Sequence, residues 1–380
     1  MNAEKTDTEF EHVNTDTGLS HLNFCFPRLD SKVSNPVNFE NVEVFVFVFY
    51  GRRQNVAILD RYLQRNSREN GGIISRVLFV ANSVKTKPED VAWIYKLVQA
   101  NPDYYKLVIS SGPWTENYRH ITNPDAVYIK MDDDVVFIED GTFESMVYEL
   151  IHTPWLIMSA NVVNHCIFTG IHHVIGALRP YTLDLSPSGI VVKDEIKDWR
   201  VRNISAAKAG SWLQMNDEDI GSAKRRLGLA NETDGFLFGS PLSLAKLDPW
   251  DSCTQKSWHC AAAAHYSLFD AIEHNDTERY HFKTWDLHAE KYDRWSINFI
   301  AFWGRSLLNV TVPGDDELFL SHHYPKAVGR HAGSVGRALV AHLAYYTQSG
   351  AYKHADVLEK YEALSLEISG TRLHGLGCPI

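Results

Sequence analysis

The chain has 380 residues, 44 % of them hydrophobic and 22 % charged, an ordinary globular composition long enough for one large domain or two smaller ones. Its 47 acidic and 37 basic residues give a formal net charge of −10. That argues against broad nucleic-acid binding but leaves room for a phosphate-bearing small substrate whose site supplies its own cation.

The N-terminal stretch "MNAEKTDTEFEHVNTDTG" has neither a basic n-region nor an apolar h-region, so it does not read as a signal peptide. Residues 1–38 are polar and aperiodic and read as a flexible arm. The five cysteines, Cys25, Cys166, Cys253, Cys260 and Cys378, are scattered and form no C-x-x-C. A disulfide framework is not expected, and a reducing, cytoplasmic setting is. Cys253, His259 and Cys260 lack the second ligand pair of a structural metal site. The N-x-[ST] sequons at Asn203, Asn231, Asn275 and Asn309 read as chance.

Val42 to Tyr50, "VEVFVFVFY", reads as a buried strand, too short to span a bilayer. Gly51 ends it, and Val56, Leu59 and Leu63 follow at helical spacing. "RVLFVANS" predicts a second strand, and "PEDVAWIYKLVQANP" a helix opened by Pro88 and closed before Pro102. "YYKLVISS" is a third strand, "TENYRHI" a short helix, "AVYIKMD" a fourth strand and "TFESMVYELI" a helix. This alternation predicts an α/β fold with a mostly parallel central sheet and helices on both faces. "WLIMSANVVN" and "DGFLFGSPLSLAK" read as strands, "WHCAAAAHYSLFDAIEHN" as a helix, and "SLLNVTV" as a strand. In "YDRWSINFIAFWG", Trp295, Phe299, Phe302 and Trp303 stand at helical spacing. "VGRALVAHLAYYTQ" and "HADVLEKYEALSLEI" read as closing helices.

Within "VYIKMDDDVVFIEDG", Asp132, Asp133 and Asp134 stand side by side between apolar runs. Ligands of open parallel sheets collect at the carboxyl ends of strands, where the trio falls. Mg2+ and Mn2+ prefer oxygen ligands, often one or two carboxylates plus substrate phosphate. The alternative is a solvated turn, which aspartate favours through local backbone bonding.

"YIKMDDDVVFIED" resembles the D-x-D segment of GT-A fold glycosyltransferases, which use nucleotide-sugar donors. "YGRRQN" before it, and "SANVVNH", "YDRWSINFIAFWG" and "GDDELFLS" after it, stand in an order similar to that of soluble fungal-type members of this fold. The likeness spans roughly residues 40 to 350. It implies a donor-binding half over residues 39–160 and an acceptor-binding half carrying the catalytic acid over 161–330. Helices over 331–370 would close the donor site, and 371–380 would form a tail. It also implies metal-dependent transfer of a sugar from a nucleotide diphosphate, of UDP or GDP type, with Mn2+ or Mg2+ as the metal. The acceptor would be a hydroxyl group, on a small molecule such as a secondary metabolite, and the reaction inverting.

Carried onto this sequence, the resemblance makes Asp134 the main metal ligand and turns Asp132 towards the ribose or the metal. Asp133 is open to either task. Asp316, with Asp315 close behind, stands where inverting members carry a general base; helix capping is the rival role. His342 is favoured as the third metal ligand over His322 and His323. Arg52 and Arg53 suit phosphate or a nucleobase. Asn161 and Asn164 suit sugar hydroxyls or turns. Asp293, Arg294, Trp295 and Asn298 suit a sugar surface, with the core the favoured place for the aromatic stripe. Gly333 and Gly336 suit a close approach to a diphosphate at a helix start. The rival functions are a metal-dependent phosphohydrolase and a non-catalytic sugar- or nucleotide-binding module.

Overall fold

The Val- and Phe-rich run after residue 43 forms β1 (Val44–Tyr50), and Gly51 turns the chain into α1 (Arg53–Arg65). The computed structural model describes residues 39–178, 199–200, 258–288, 291–349, 353 and 355–370. The arm expected over 1–38, the strand in "DGFLFGSPLSLAK", the sequons at Asn203 and Asn231 and the tail over 371–380 lie outside the described residues.

Val56, Leu59 and Leu63 all face inward on α1, together with Ile58 and Tyr62, as their spacing requires. Next come β2 (Arg76–Asn82), α2 (Pro88–Ala100) and β3 (Tyr105–Ser110). Pro88 occupies the first turn of α2, where its missing N–H costs nothing. A 3-10 segment (Trp114–His120) leads to β4 (Val127–Asp132). Then β5 (Val135–Ile138), α3 (Thr142–His152), β6 (Ile157–Val163) and α4 (Phe168–Val174) follow. The later chain contributes α5 (Trp258–Glu273), β7 (Trp285–Asp286), β8 (Phe299–Trp303), β9 (Ala332–His342) and α6 (Val357–Ile368).

All nine strands of the described residues join one sheet in the order β3-β2-β1-β4-β8-β6-β9-β5, with β7 paired to β9. The β3-β2-β1-β4 block is parallel, as is β6 with β9, while β8, β5 and β7 run against their neighbours. The predicted α/β class with a mostly parallel central sheet is the fold observed. Helix α3 packs on β6, β8 and β9, α1 on β5, and α4 and α5 on β6. No helix among the described residues is long and apolar enough to cross a membrane.

Only Asp133 and Asp134 separate β4 from β5, yet β8, β6 and β9 lie between those strands in the sheet. A flat sheet would hold β4 and β5 about 19 Å apart. Three Cα steps reach about 11 Å at most. The sheet must therefore curl, bringing the far ends of β4 and β9 together at the acidic trio.

Three expectations for the second half are corrected. "VGRALVAHLAYYTQ" is not a helix: its first part is β9, buried along almost its whole length. "YDRWSINFIAFWG" likewise forms β8, which pairs on both sides with β4 and β6. "SLLNVTV" is not a strand. Leu308 N–H bonds back to the Gly304 carbonyl, and Asn309 has a φ of 62°, in the left-handed region that no strand can use.

Candidate active site

Register places the acids. Asp132 ends β4 directly beside Phe49 of β1, so the turn Tyr50-Gly51-Arg52 lies next to the trio. Asp133 turns towards it. Its carboxylate accepts the Gly51 N–H at 2.9 Å and the Arg52 Nε–H at 3.1 Å, with Arg52 Nη2 closer still. A Cβ on Gly51 would stand 3.2 Å from an Asp133 oxygen, so glycine is what lets the carboxylate approach this closely. Arg52 also reaches Asp134, Nη2 to Oδ2, at 3.0 Å. The fork between two acids is the geometry guanidinium suits.

Asp134 is held from the other side by β9. Leu343 N–H donates to the Asp134 carbonyl at 2.9 Å, Val135 pairs with His342, and His342 Nε2 lies 3.4 Å from Asp134 Oδ1. Asn164, in a left-handed turn with φ 61°, ties down the strand end through its amide to the His342 and Leu343 carbonyls. The Asn164 carbonyl faces His342 Nδ1 at 3.5 Å, which orients the ring with Nε2 towards the acids.

Asp132 is gripped by Lys130 and Asn298. Lys130 Nζ donates to Asp132 Oδ1 at 2.5 Å and to the Ile297 carbonyl at 2.9 Å. Asn298 Nδ2 donates to Asp132 Oδ2 at 2.9 Å. The Asp132 side chain is 29 % exposed and that of Arg52 48 %, whereas Asp133, Asp134 and Lys130 are almost fully buried. The cluster therefore opens to solvent through Asp132 and Arg52.

The acids titrate according to these neighbours. Burial pushes Asp133 up to about 6, against the pull of Arg52. Burial would raise Asp134 too, but His342 and Arg52 outweigh it and hold its carboxyl below the usual range. His342 is lowered by burial and raised more strongly by Asp134, for a net rise. Lys130 is lowered by burial, yet Asp132 and Asp316 raise it further than burial depresses it.

Asp132, Asp134 and His342 each offer a ligand atom, all within 4.8 Å of one another. Around a small octahedral cation, cis ligands stand about 3 Å apart and trans ligands about 4.2 Å, so the three groups would draw closer to seat one ion. Two carboxylates and an imidazole suit Mn2+ or Mg2+. The residues present fit a divalent metal, and His342, rather than His322 or His323, is the histidine brought to it.

The second acidic cluster lies within electrostatic reach. Asp316 Oδ2 accepts the Tyr118 hydroxyl at 2.9 Å. Tyr118 packs edge-on against Phe49, whose ring lies 5.1 Å from Lys130 Nζ. Asp315 caps the following helical turn through Leu318 N–H at 2.9 Å and pairs with Arg294 at 2.8 Å. Asp315 is the cap, while Asp316 faces Tyr118 through Oδ2 and accepts the Glu317 N–H on Oδ1 at 3.0 Å. Arg294 also bonds Glu317 at 2.9 Å, and burial raises the Glu317 carboxyl despite that bond.

Other sequence candidates sit elsewhere. Arg53 points to Asp90 at 3.5 Å. Asn161 is fully buried, its amide bonded to the Tyr280 and Gly336 carbonyls and its oxygen to His172. It holds β6 to β9 beside a register shift; no surface is left for a donor. Trp295 is fully buried core, the place favoured for the aromatic stripe. Asp293 pairs with Lys291. Gly333 and Gly336 lie in β9, not at a helix start. A Cβ on Gly336 would meet the Phe282 carbonyl at 2.1 Å, so this glycine serves packing. Sequence reasoning missed Lys130, Tyr118 and Glu317; the signal for Lys130 is a lone cation in the buried run of β4 that leads to Asp132. A cleft of about 430 Å3 lined by Trp155, Trp303, Arg305, Tyr324 and Arg330 contains none of these acids. Trp303 pairs with Val127 at the opposite end of β4, so the cleft is separate from this centre.

No family model matches the chain, and no curated protein sequence matches it. Among solved structures, the chain is similar to a mannosyltransferase from Pyrobaculum calidifontis in complex with GDP-Man and Mn2+. That match has 16 % identity and a TM-score of 0.26, covering 31 % of this chain and 35 % of that one. It is also similar to GalNAc-T7 with UDP, GalNAc and Mn2+, at 8 % identity and a TM-score of 0.40, covering 86 % of this chain and 48 % of that one. A third similar structure is 4-diphosphocytidyl-2C-methyl-D-erythritol synthase from Anaerococcus prevotii, at 8 % identity and a TM-score of 0.26, covering 52 % of this chain and 80 % of that one. The chain thus spans less than half the length of the first two.

Proposed function

We propose that this protein is a metal-dependent glycosyltransferase that moves a sugar from a nucleotide diphosphate to a hydroxyl acceptor, with inversion at the anomeric carbon. The observation that carries the reading is the convergence of Asp132, Asp134 and His342 within 4.8 Å at the carboxyl end of β4. These three residues would hold a Mn2+ or Mg2+ ion. Bound there, the ion supplies charge stabilisation for a departing diphosphate.

The remaining chemistry falls to the chain's own groups. Arg52, half-exposed at the mouth, offers a forked donor to phosphate oxygens. Asp316 accepts the proton of the acceptor hydroxyl as that oxygen bonds to the anomeric carbon. The bond from that carbon to the diphosphate breaks, and its electron pair leaves on the phosphate oxygen. Tyr118 donates to Asp316 Oδ2 and the Glu317 N–H to Oδ1, which together fix the carboxylate's orientation. A base separate from the metal ligands favours a single displacement, hence inversion. A small hydroxylated molecule is the acceptor proposed for testing.

The test is a thermal-shift panel of UDP and GDP, with and without Mn2+, followed by sugar-donor turnover. Stabilisation by one nucleotide only in the presence of metal supports the reading, because a ligand that binds the folded state raises its melting temperature. Donor cleavage at the same rate with and without an acceptor would move the assignment to a phosphohydrolase. Binding with no turnover in any acceptor mixture would reduce the protein to a binding module.

A further inference from the structure

The acidic cluster carries its own counter-ions. Three carboxylates, Asp132, Asp133 and Asp134, face two cations, Arg52 and Lys130. Arg52 reaches solvent and can swing away. Lys130 cannot: its side chain is 3 % exposed, wedged against the Phe49 ring and anchored to the Ile297 carbonyl. It sits on Asp132 Oδ1, while Asn298 occupies Oδ2. Both oxygens of one expected metal ligand are thus already engaged, one of them by a fixed positive charge.

We propose that Lys130 is a positioning residue whose fixed charge holds Asp132 and makes binding of a divalent cation depend on a diphosphate. With His342 neutral, as a ligand must be, the cluster keeps one net negative charge. A divalent cation alone reverses that sign inside a buried site, beside a lysine that cannot leave. A diphosphate arriving with the cation restores the balance and gives Arg52 a new partner. Lys130 thereby weakens the site for free metal and leaves it receptive to the metal–diphosphate pair. The inference rests on the transferase reading for the identity of the anion, but the effect of Lys130 on free metal stands apart from it.

The experiment titrates the full chain with Mn2+, followed by the electron paramagnetic resonance of the free ion. Mn2+ is added alone, with inorganic pyrophosphate, and with UDP or GDP. The wild type is expected to bind Mn2+ at least about tenfold more tightly with a diphosphate than without. Lys130→Met is expected to bind Mn2+ alone at least about threefold more tightly than the wild type, with a smaller diphosphate enhancement. Lys130→Arg restores the charge and should return both values towards wild type. Lys130→Gln keeps donors for Asp132 and Ile297 and removes the charge, so it serves if the methionine variant does not fold. A folded neutral variant that binds free Mn2+ no better than wild type overturns the proposal. So does a wild type whose Mn2+ affinity ignores pyrophosphate and nucleotide alike. A response to pyrophosphate without one to UDP or GDP keeps the proposal and removes the nucleotide-sugar reading.

Discussion

Replacing Asp134 with asparagine keeps the side chain's shape and removes its charge. Two contacts weaken, Arg52 Nη2 at 3.0 Å and His342 Nε2 at 3.4 Å. The Arg52 side chain is 48 % exposed, so solvent screens its share to ~0.5–1 kcal/mol. His342 is buried, and opposite charges at 3.4 Å attract by about 5 kcal/mol at an effective dielectric of ~20. Desolvation of both groups offsets much of this. His342 can also release its proton, so the net loss stays under the ~3–5 kcal/mol of a broken pair whose survivor remains charged. We expect ~1–3 kcal/mol in acid. The pH dependence has a definite sign. His342 is raised in the folded protein because Asp134 outweighs burial. The stabilisation it gains is therefore complete below its ordinary 6.5 and disappears as pH rises through the raised value. Asp134 is held low, so its own contribution is lost only as pH falls below 3.8 towards that depressed value. The penalty for Asp134→Asn should be largest near about pH 6 and shrink towards the Arg52 share near about pH 9. Metal affinity runs the other way: Mn2+ needs neutral His342, so wild-type affinity should rise with pH by up to about tenfold per unit below that raised pKa. The variant should lose more than the ~10–100-fold typical of an outer-shell partner. Urea denaturation and Mn2+ titration at both pH values measure the two trends. An equal stability penalty at both, or unchanged Mn2+ affinity, refutes the assignment of Asp134.

Asp316→Asn should lower turnover by ~10²–10⁴-fold and leave the metal-dependent nucleotide shift intact; a matching loss of nucleotide binding would place Asp316 in the donor site instead. Asn161→Ala should cost ~2–4 kcal/mol by leaving buried partners of its amide unsatisfied, read as a lower urea midpoint. A selective loss of nucleotide affinity at unchanged stability would restore it to the donor site. Gly336→Ala puts a methyl 2.1 Å from the Phe282 carbonyl and should lower stability by more than ~2 kcal/mol. An unchanged midpoint would mean that the register shift beside it absorbs the clash.

Much of the first half of the fold was legible because β1 and β2 are each followed by a helix with its own boundary signal, Gly51 before α1 and Pro88 at the start of α2; β5, which follows β4 after two residues, was not. Strand β9 was not, for a physical reason. In "AGSVGRALVAH" every residue but Arg337 is buried, so no alternation marks a strand. A continuous apolar run with alanines fits a buried helix equally well. In β8, aromatic residues fill both faces between β4 and β6, and their helical spacing is coincidental. Asn161 was misread because an amide suits a sugar and a buried bridge equally. Only its full burial, with His172 and two carbonyls around it, decides between them.

The acidic trio was legible as a candidate site because no turn needs three adjacent carboxylates, and its geometry follows from where the chain must go next. Two residues cannot carry the backbone from β4 to β5 unless the sheet curls, and the curl delivers the end of β9 to the end of β4. His342 meets Asp134 for that reason, and no local pattern around either residue announces it. The trio is therefore the joint of the curled sheet as well as part of the proposed cation site. Repulsion between its carboxylates would strain that joint if it were left uncompensated. Arg52 from the turn after β1, Lys130 from β4 and His342 from β9 each supply a positive partner from a different part of the sheet. Their number and burial make sense if the joint must hold its shape before a metal arrives and yield part of that charge when it does.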